Sequence, residues 1–350
     1  RLLHTSTLKF ESFVNHTQAP PYTILSHTWD DDEITFQDLI GDRRTCQGRK
    51  GWRKTIKACR YASAYGWSYI WIDTCCIDKT NSPELCEALN SSYYWYEAAD
   101  VCYADLSDVP PLSSTKSRFK CSRWFTRGWS IQVLLAPTFL EFIDKGWAPI
   151  GIREEWATVV HLATRIALKD LANFRECSVA TKLSWAANRQ TAHLEDRAYS
   201  LLGLLGVTMP PIYGEGEYAF ARLQLEVIKR CDDESIFACR ESLHKKKSSS
   251  DDPSEIAMQR GLQTSRTSPI LAQCPTCFRD SRGLVIHRFD THRRGFTMTN
   301  AGLDMSAELF QLGGGQGSNP LYLIRLNSCL DERGENSYNT TGPNPLVLLL

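Results

Sequence analysis

The stretch from Tyr69 to Val109, YIWIDTCCIDKTNSPELCEALNSSYYWYEAADVCYADLSDV, constrains the fold more than any other. It opens on an apolar run, Tyr69-Ile70-Trp71-Ile72, that ends in Asp73. A short run that is apolar on both faces and rich in β-branched and aromatic residues reads as a strand buried on both sides. A polar turn follows, Asp78 to Pro83. Ser82 is placed to cap a helix, with Pro83 at its first position and Glu84 in its first turn. Leu85, Ala88, Leu89, Ser92 and Trp95/Tyr96 then recur at helical spacing, and Ala99 to Leu106 reads as a second strand. Strand, helix and strand within about forty residues make a βαβ unit, which implies a parallel sheet with a right-handed crossover.

The rest of the N-terminal part fits around that unit. Tyr22 to Ser26 reads as the first strand, followed by His27-Thr28-Trp29 and the acidic turn Asp30-Asp31-Asp32-Glu33. Residues 52–65 read as an amphipathic helix that stops at Gly66. The order β (22–26), α (52–65), β (69–73), α (83–97), β (100–106) is that of an open α/β sheet. Beyond the Pro/Ser loop at 109–117, a helix is expected from Ser122 to Leu135 and a strand from Thr138 to Ile143. Further helices are expected over 153–176, 178–188, 196–205 and 217–230. The predicted organisation is a domain over 1–240, with an α/β core at 20–145 and a helical extension at 150–235. A polar loop at 241–258 and a β-rich portion at 259–350 follow. That last portion is marked by Leu284-Val285-Ile286, Gly295 to Met298, Gly302 to Met305 and Leu321 to Ile324, with a Gly-rich turn at Gly313 to Gly317.

Composition narrows the function classes. Lys+Arg and Asp+Glu both number 40 in 350 residues, so the basic excess of a nucleic-acid footprint is missing. No apolar run reaches membrane-spanning length; Leu346 to Leu350 is far too short. The first 20 residues lack the apolar segment of a secretory signal, and the chain begins with Arg1 rather than Met, which points to a processed or trimmed end. The expectation is a cytosolic protein whose 13 cysteines are reduced thiols, largely small buried hydrophobes. The sequons at Asn15, Asn90 and Asn339 then carry no weight.

Four blocks in order resemble the fungal heterokaryon incompatibility (HET) domain. They are Tyr22 to Trp29; Trp71 to Lys79; Trp124-Phe125-Thr126-Arg127-Gly128-Trp129 with Gln132 and Leu134 to Pro137; and Asp196-Arg197-Ala198-Tyr199-Ser200-Leu201-Leu202-Gly203 with Tyr213 to Gly216. The resemblance covers residues 20–235. It implies a cytosolic module of fungal non-self recognition and programmed cell death, acting through protein partners or self-association. HET domains in turn resemble the Toll/interleukin-1 receptor (TIR) fold, a parallel, flavodoxin-like α/β sheet. Some TIR domains hydrolyse NAD⁺ with a helix glutamate in a Trp-Cys-x-x-Glu-Leu pattern. The matching stretch here is Trp129-Ser130-Ile131-Gln132-Val133-Leu134, with Val133 where the HET family usually carries Glu. A carboxylate stabilises the positive charge that builds on the ribose, and valine cannot. Asp30 and Ser92 depart from the family's usual Gly and Met.

Candidate site residues follow from strand ends, where ligands bind in open α/β sheets. Ser26, His27 and Trp29 end the first strand, and Asp73 and Asp78 flank the end of the second. Each aspartate either contacts a ribose or cation, or caps a helix and shapes a turn. Glu84 and Glu87 either replace the missing catalytic carboxylate or complement the helix dipole. Cys75 with His27 would make a nucleophile pair, against the plainer reading that Cys75 is packing. Arg127 and Trp129, with Arg123, either line a cationic pocket or serve the core and nearby carboxylates. Gly214-Glu215-Gly216 lacks the Lys of a phosphate loop and reads rather as a turn. Cys274-Pro-Thr-Cys277 is a lone CxxC, a weak zinc motif without a second pair. The cofactor expectation is none, or NAD⁺ or a related nucleotide, with no metal. The function expected is HET-type signalling, with an NAD⁺ hydrolase using Glu84 or Asp73, or a nucleotide-binding regulatory module, as alternatives.

Overall fold

The computed structural model describes residues 1–13, 18–111, 115–239, 270–286, 295–300, 302–305, 309–312, 321–330 and 345–349. The polar loop expected at 241–258, the Gly313 to Gly317 turn and the sequons at Asn15 and Asn339 lie outside the described residues. The chain divides into two compact units, residues 1–176 with 188–219 and residues 177–187 with 220–350.

The first unit is built on a seven-stranded sheet. Its strands are β1 (Leu2–His4), β2 (Phe10–Glu11), β3 (Thr23–His27), β4 (Tyr69–Ile72), β5 (Val101–Leu106), β6 (Leu140–Asp144) and β7 (Pro149–Ile152), in the order β2-β1-β4-β3-β5-β6-β7. The four central strands β4, β3, β5 and β6 are parallel, and the strands flanking them are antiparallel. Taken alone, the parallel strands run second-first-third-fourth, the flavodoxin-like order, whose switch point lies between β3 and β5. There Leu25 pairs with Tyr103 and His27 with Asp105.

Strand alternation sends these residues to opposite helix layers. Ile24, Ser26, Trp71 and Phe142 face α3 (Ser82–Ala98), α5 (Ser130–Leu135) and the aromatic cluster of Phe119, Trp124 and Phe125. Leu25, His27, Tyr103 and Glu141 face α2 (Lys50–Ala64), where Tyr61 stacks edge-on against Tyr103 and donates to Glu141. The preceding α1 (Phe36–Ile40) carries a capping box between Thr35 and Asp38. The acidic turn serves α2, whose own N-cap, Arg49, offers no capping side chain. Asp32 accepts from the amide of Lys50 with its carboxylate and from that of Gly51 with its carbonyl, satisfying two orphan donors of the helix start.

Several local expectations are corrected. Asn81, not Ser82, caps α3, its side chain accepting from the Glu84 amide and Pro83 falling within the first turn. Beyond α4 (Thr115–Lys120), the helix expected from Ser122 to Leu135 is a 3-10 turn (Arg123–Thr126) and then α5. It breaks at Arg127-Gly128 because Gln190 pairs there, donating to Thr126 and accepting from Gly128. The helix expected over 153–176 is α6 (Ala157–Thr164), α7 (Leu168–Asn173) and a 3-10 turn, interrupted by the left-handed Arg165. That over 178–188 is the shorter α8 (Val179–Ser184), and that over 196–205 is two turns, α9 (Asp196–Tyr199) and α10 (Leu202–Leu205). Helix α11 (Tyr218–Ile228) is as expected. In the second unit β8 (Leu284–Ile286), β11 (Leu309–Leu312), β12 (Leu321–Leu330) and β13 (Pro345–Leu349) form an antiparallel sheet, beside a hairpin of β9 (Thr297–Thr299) and β10 (Gly302–Asp304). No helix among the described residues is long and apolar enough to cross a membrane.

Candidate functional site at the sheet switch point

The carboxyl ends of β3, β4 and β5 carry a half-enclosed cluster of charged side chains on the α2 side of the sheet. His27 is its centre. Its side chain is 1% exposed, and neither ring nitrogen makes a hydrogen bond among the described residues. Nε2 faces Glu33 Oε2 at 3.5 Å and Asp73 Oδ1 at 3.9 Å, both long for a good bond. Glu33 also accepts from Lys54 and from the Asp30 amide. Burial pushes the Glu33 carboxyl up, but His27 and Lys54 prevail and hold it at about 2. Asp105, opposite His27 in the register, goes the other way. Burial raises it to about 6, only partly offset by His27 and Lys54.

Asp73 closes the cluster from β4. Trp29 donates its indole N–H to Asp73 Oδ2 at 2.9 Å, and Lys79 lies 3.6 Å over the Trp29 ring. Burial lowers the Lys79 amine, countered by Asp73. Asp73 Oδ1, Thr74 Oγ1 and Asp105 Oδ1 are buried without hydrogen-bond partners, as are both nitrogens of His27. Buried polar atoms are normally paired. Several orphans at one strand-end crevice leave donors and acceptors for the hydroxyl or amide groups of a small polar ligand. The described residues offer no cluster of three or more His, Cys, Asp or Glu arranged to hold a metal ion.

Of the residues expected to share a site, His27, Trp29 and Asp73 come together here. Ser26 points to the opposite layer, where it accepts from the Trp124 indole at 3.0 Å. Asp78 bonds Gln37 and Thr80, in the polar turn before α3. Glu84 is held by Arg1 at 2.9 Å and caps the Asp78 amide, and Glu87 is exposed. Cys75 is buried; its hydrogen bond with Cys76, then burial, push the thiol well above its ordinary value, which makes it a poor nucleophile. Val133 is packed in α5, all of whose residues are buried. Glu33, Lys54, Lys79 and Asp105 were not singled out from the sequence.

Arg127 and Trp129 belong to a second assembly, which joins the third and fourth sequence blocks. Half-buried Arg189 donates to Arg127 O at 2.9 Å and to Ser130 Oγ at 2.8 Å. A Cβ on Gly128 would lie 2.4 Å from Thr191 and 3.3 Å from Ser200 Oγ. Asp196 accepts from Tyr213 at 3.0 Å and is also bonded by Trp129. Arg123 lies 3.9 Å from Asp108. The Gly214-Glu215-Gly216 turn already holds an anion, since the amides of Gly214 and Gly216 donate to Glu195 Oε1 at 2.7 and 3.0 Å. It is a nest filled by the chain's own carboxylate, with no amide left for a phosphate.

The first unit is thus an α/β fold with a mostly parallel sheet and orphaned polar side chains at its switch point. The comparisons with known proteins make this more specific. Residues 22–116, which hold the whole switch-point cluster, match the Heterokaryon incompatibility protein (HET) family. Residues 218–305 match a Domain of unknown function (DUF8212). The chain is 41% identical over 224 residues to the Vegetative incompatibility protein HET-E-1 of Podospora anserina, a match covering 61% of this chain and 16% of that relative. It therefore spans well under a fifth of that relative's length. No solved structure matches.

Proposed function

We propose that this chain is the signalling part of a vegetative incompatibility protein, promoting death of incompatibly fused cells by assembling with itself or with protein partners in the cytoplasm. The observation that carries this is the 224-residue match, at 41% identity, to a protein of that name. Regulated expression of the full chain in Podospora anserina tests it. Loss of viability on induction is expected. Normal growth with the intact protein accumulating would sink the proposal.

The orphaned polar atoms favour a second reading, in which a nucleotide held at the switch point controls assembly. A ligand present at a hundred times its Kd adds about 2.7 kcal/mol of stability. A raised Tm with NAD⁺ or ADP-ribose, lost in Asp73→Asn, is the expected result; equal Tm values with and without every nucleotide tried would remove this reading. Hydrolysis of NAD⁺ has less support. Val133 is apolar, Glu84 is paired with Arg1, and Asp73 is engaged by Trp29. The purified chain is expected to leave NAD⁺ intact on prolonged incubation, with chromatography of the nucleotides as the check.

A further inference from the structure

We propose that Cys274 and Cys277, in the second unit, form a redox-active dithiol that closes to a disulfide by exchange with a small-molecule disulfide. The pair spans a 3-10 turn, Pro275–Phe278, in which the Cys277 amide donates to Cys274 O at 3.1 Å. Cys274 is the extended N-cap of that turn, and this i→i+3 hydrogen bond holds the two Cα atoms within about 7 Å of each other. That separation lies inside the range a disulfide spans, so closure needs no large backbone movement. The two thiols are already hydrogen-bonded to each other. Both are partly exposed, whereas Cys46, Cys59, Cys75, Cys76 and Cys102 are buried.

The turn is fixed independently of its thiols. Pro275 and Phe278 are buried, and Thr276 donates to Ala187 O at 3.1 Å. The two sulfurs are unequal. The hydrogen bond from Cys277, supported by Thr276, brings the Cys274 thiol down to about 5, while Cys277 is pushed up. Cys274 is thus the attacking thiolate and Cys277 the resolving thiol. Cys274 S⁻ attacks one sulfur of the disulfide RSSR, forming a mixed disulfide and releasing RS⁻. The Cys277 thiol then loses its proton and attacks the Cys274 sulfur, releasing the second RS⁻. The protein dithiol is oxidised by two electrons, RSSR is reduced to two thiols, and no other reactant is needed.

The test uses the intact chain in mixtures of reduced and oxidised glutathione, with free thiols alkylated and peptides read by mass spectrometry. Joint loss of labelling at Cys274 and Cys277, with a linked 274–277 peptide, is expected. In Cys277→Ser a glutathione adduct accumulates on Cys274, and in Cys274→Ser the adduct on Cys277 forms about tenfold more slowly. The wild-type chain supplies a measurement that needs no variant. Between pH 6 and 7 Cys274 is alkylated faster than exposed Cys121. Equal alkylation of Cys274 and Cys121, equal adducts in the two variants, or protection of both thiols by one equivalent of zinc would each overturn the proposal.

Discussion

Asp105 sits on a central strand with 3% of its surface exposed, and burial raises its carboxyl from an ordinary 3.8 to about 6. Its folded-state value lies above its unfolded one, so the protonated form favours folding, and stability is lost as pH rises from about 4 to about 6. The gap corresponds to about 3 kcal/mol. Asp105→Asn is therefore expected to raise the Tm at pH 7 to 8, with the gain shrinking below pH 6 and absent near pH 3.5; thermal melts across that range check it. Glu33, held at about 2, has the opposite sign. Its contribution is present above about pH 4.5 and is lost on acidification toward pH 2. A carboxylate kept at a cost, beside one kept ionised, is the arrangement that functional crevices share. Val133→Glu puts a carboxylate into a wholly buried helix. It is expected to cost on the order of 4 kcal/mol or more and to produce no NAD⁺ turnover, read by melting and by nucleotide assay. His27 and Asp73 were legible in the sequence because each ends an apolar strand. Asp105 was not, because its sharing a face with His27 depends on the β3–β5 register, which no local pattern carries.

The four parallel strands and the two long helices were also legible, since each buries a continuous apolar run or stripe. The shorter elements were not. Their ends are set by partners distant in sequence: Gln190 splits the segment from Ser122 to Leu135, and Asp32 starts α2 from outside the helix. The Asp196 to Gly203 block is likewise explained only by what lies against it. A Cβ on Gly203 would fall 2.0 Å from Tyr93 Cβ, so α10 packs on α3 at a distance no other residue allows. Gly206, three positions on, has open space around it but a φ of +69°. The two glycines separate crowding from backbone strain. Gly206→Ala is expected to cost roughly 1 kcal/mol through its left-handed backbone. Gly203→Ala is expected to cost about 3 kcal/mol through overpacking, and Tyr93→Ala in the same chain should recover part of that loss while leaving the Gly206→Ala penalty unchanged. Chemical denaturation of the two single variants and the two double variants measures this.

On the scale of the whole molecule, composition suggests a boundary near residue 240, while α8, well before it, packs with residues beyond it. Helix α8 lies between two segments of the first unit in sequence, yet it belongs to the second unit. Ser178 donates to Leu284 O at 2.6 Å, and Thr181 donates to the same carbonyl at 3.0 Å. Val179 and Ala180 donate their amides to Asp233 and Ser235. The helix also packs against β8 and the 3-10 turn that holds the two exchange-competent cysteines, with Leu284 and Phe278 buried. Ending the chain at 240 would remove Leu284, Ser281 and Phe278 together. Two apolar side chains at about 2 kcal/mol each and the two stranded hydroxyls at about 1 kcal/mol each put the loss on the order of 6 kcal/mol. Hydrogen exchange of the shortened chain is therefore expected to show residues 177–187 losing protection while β3, β4 and β5 keep theirs. Unchanged protection over 177–187 would mean that α8 finds its support in residues before 240, and that the residues beyond 240 contribute nothing to it.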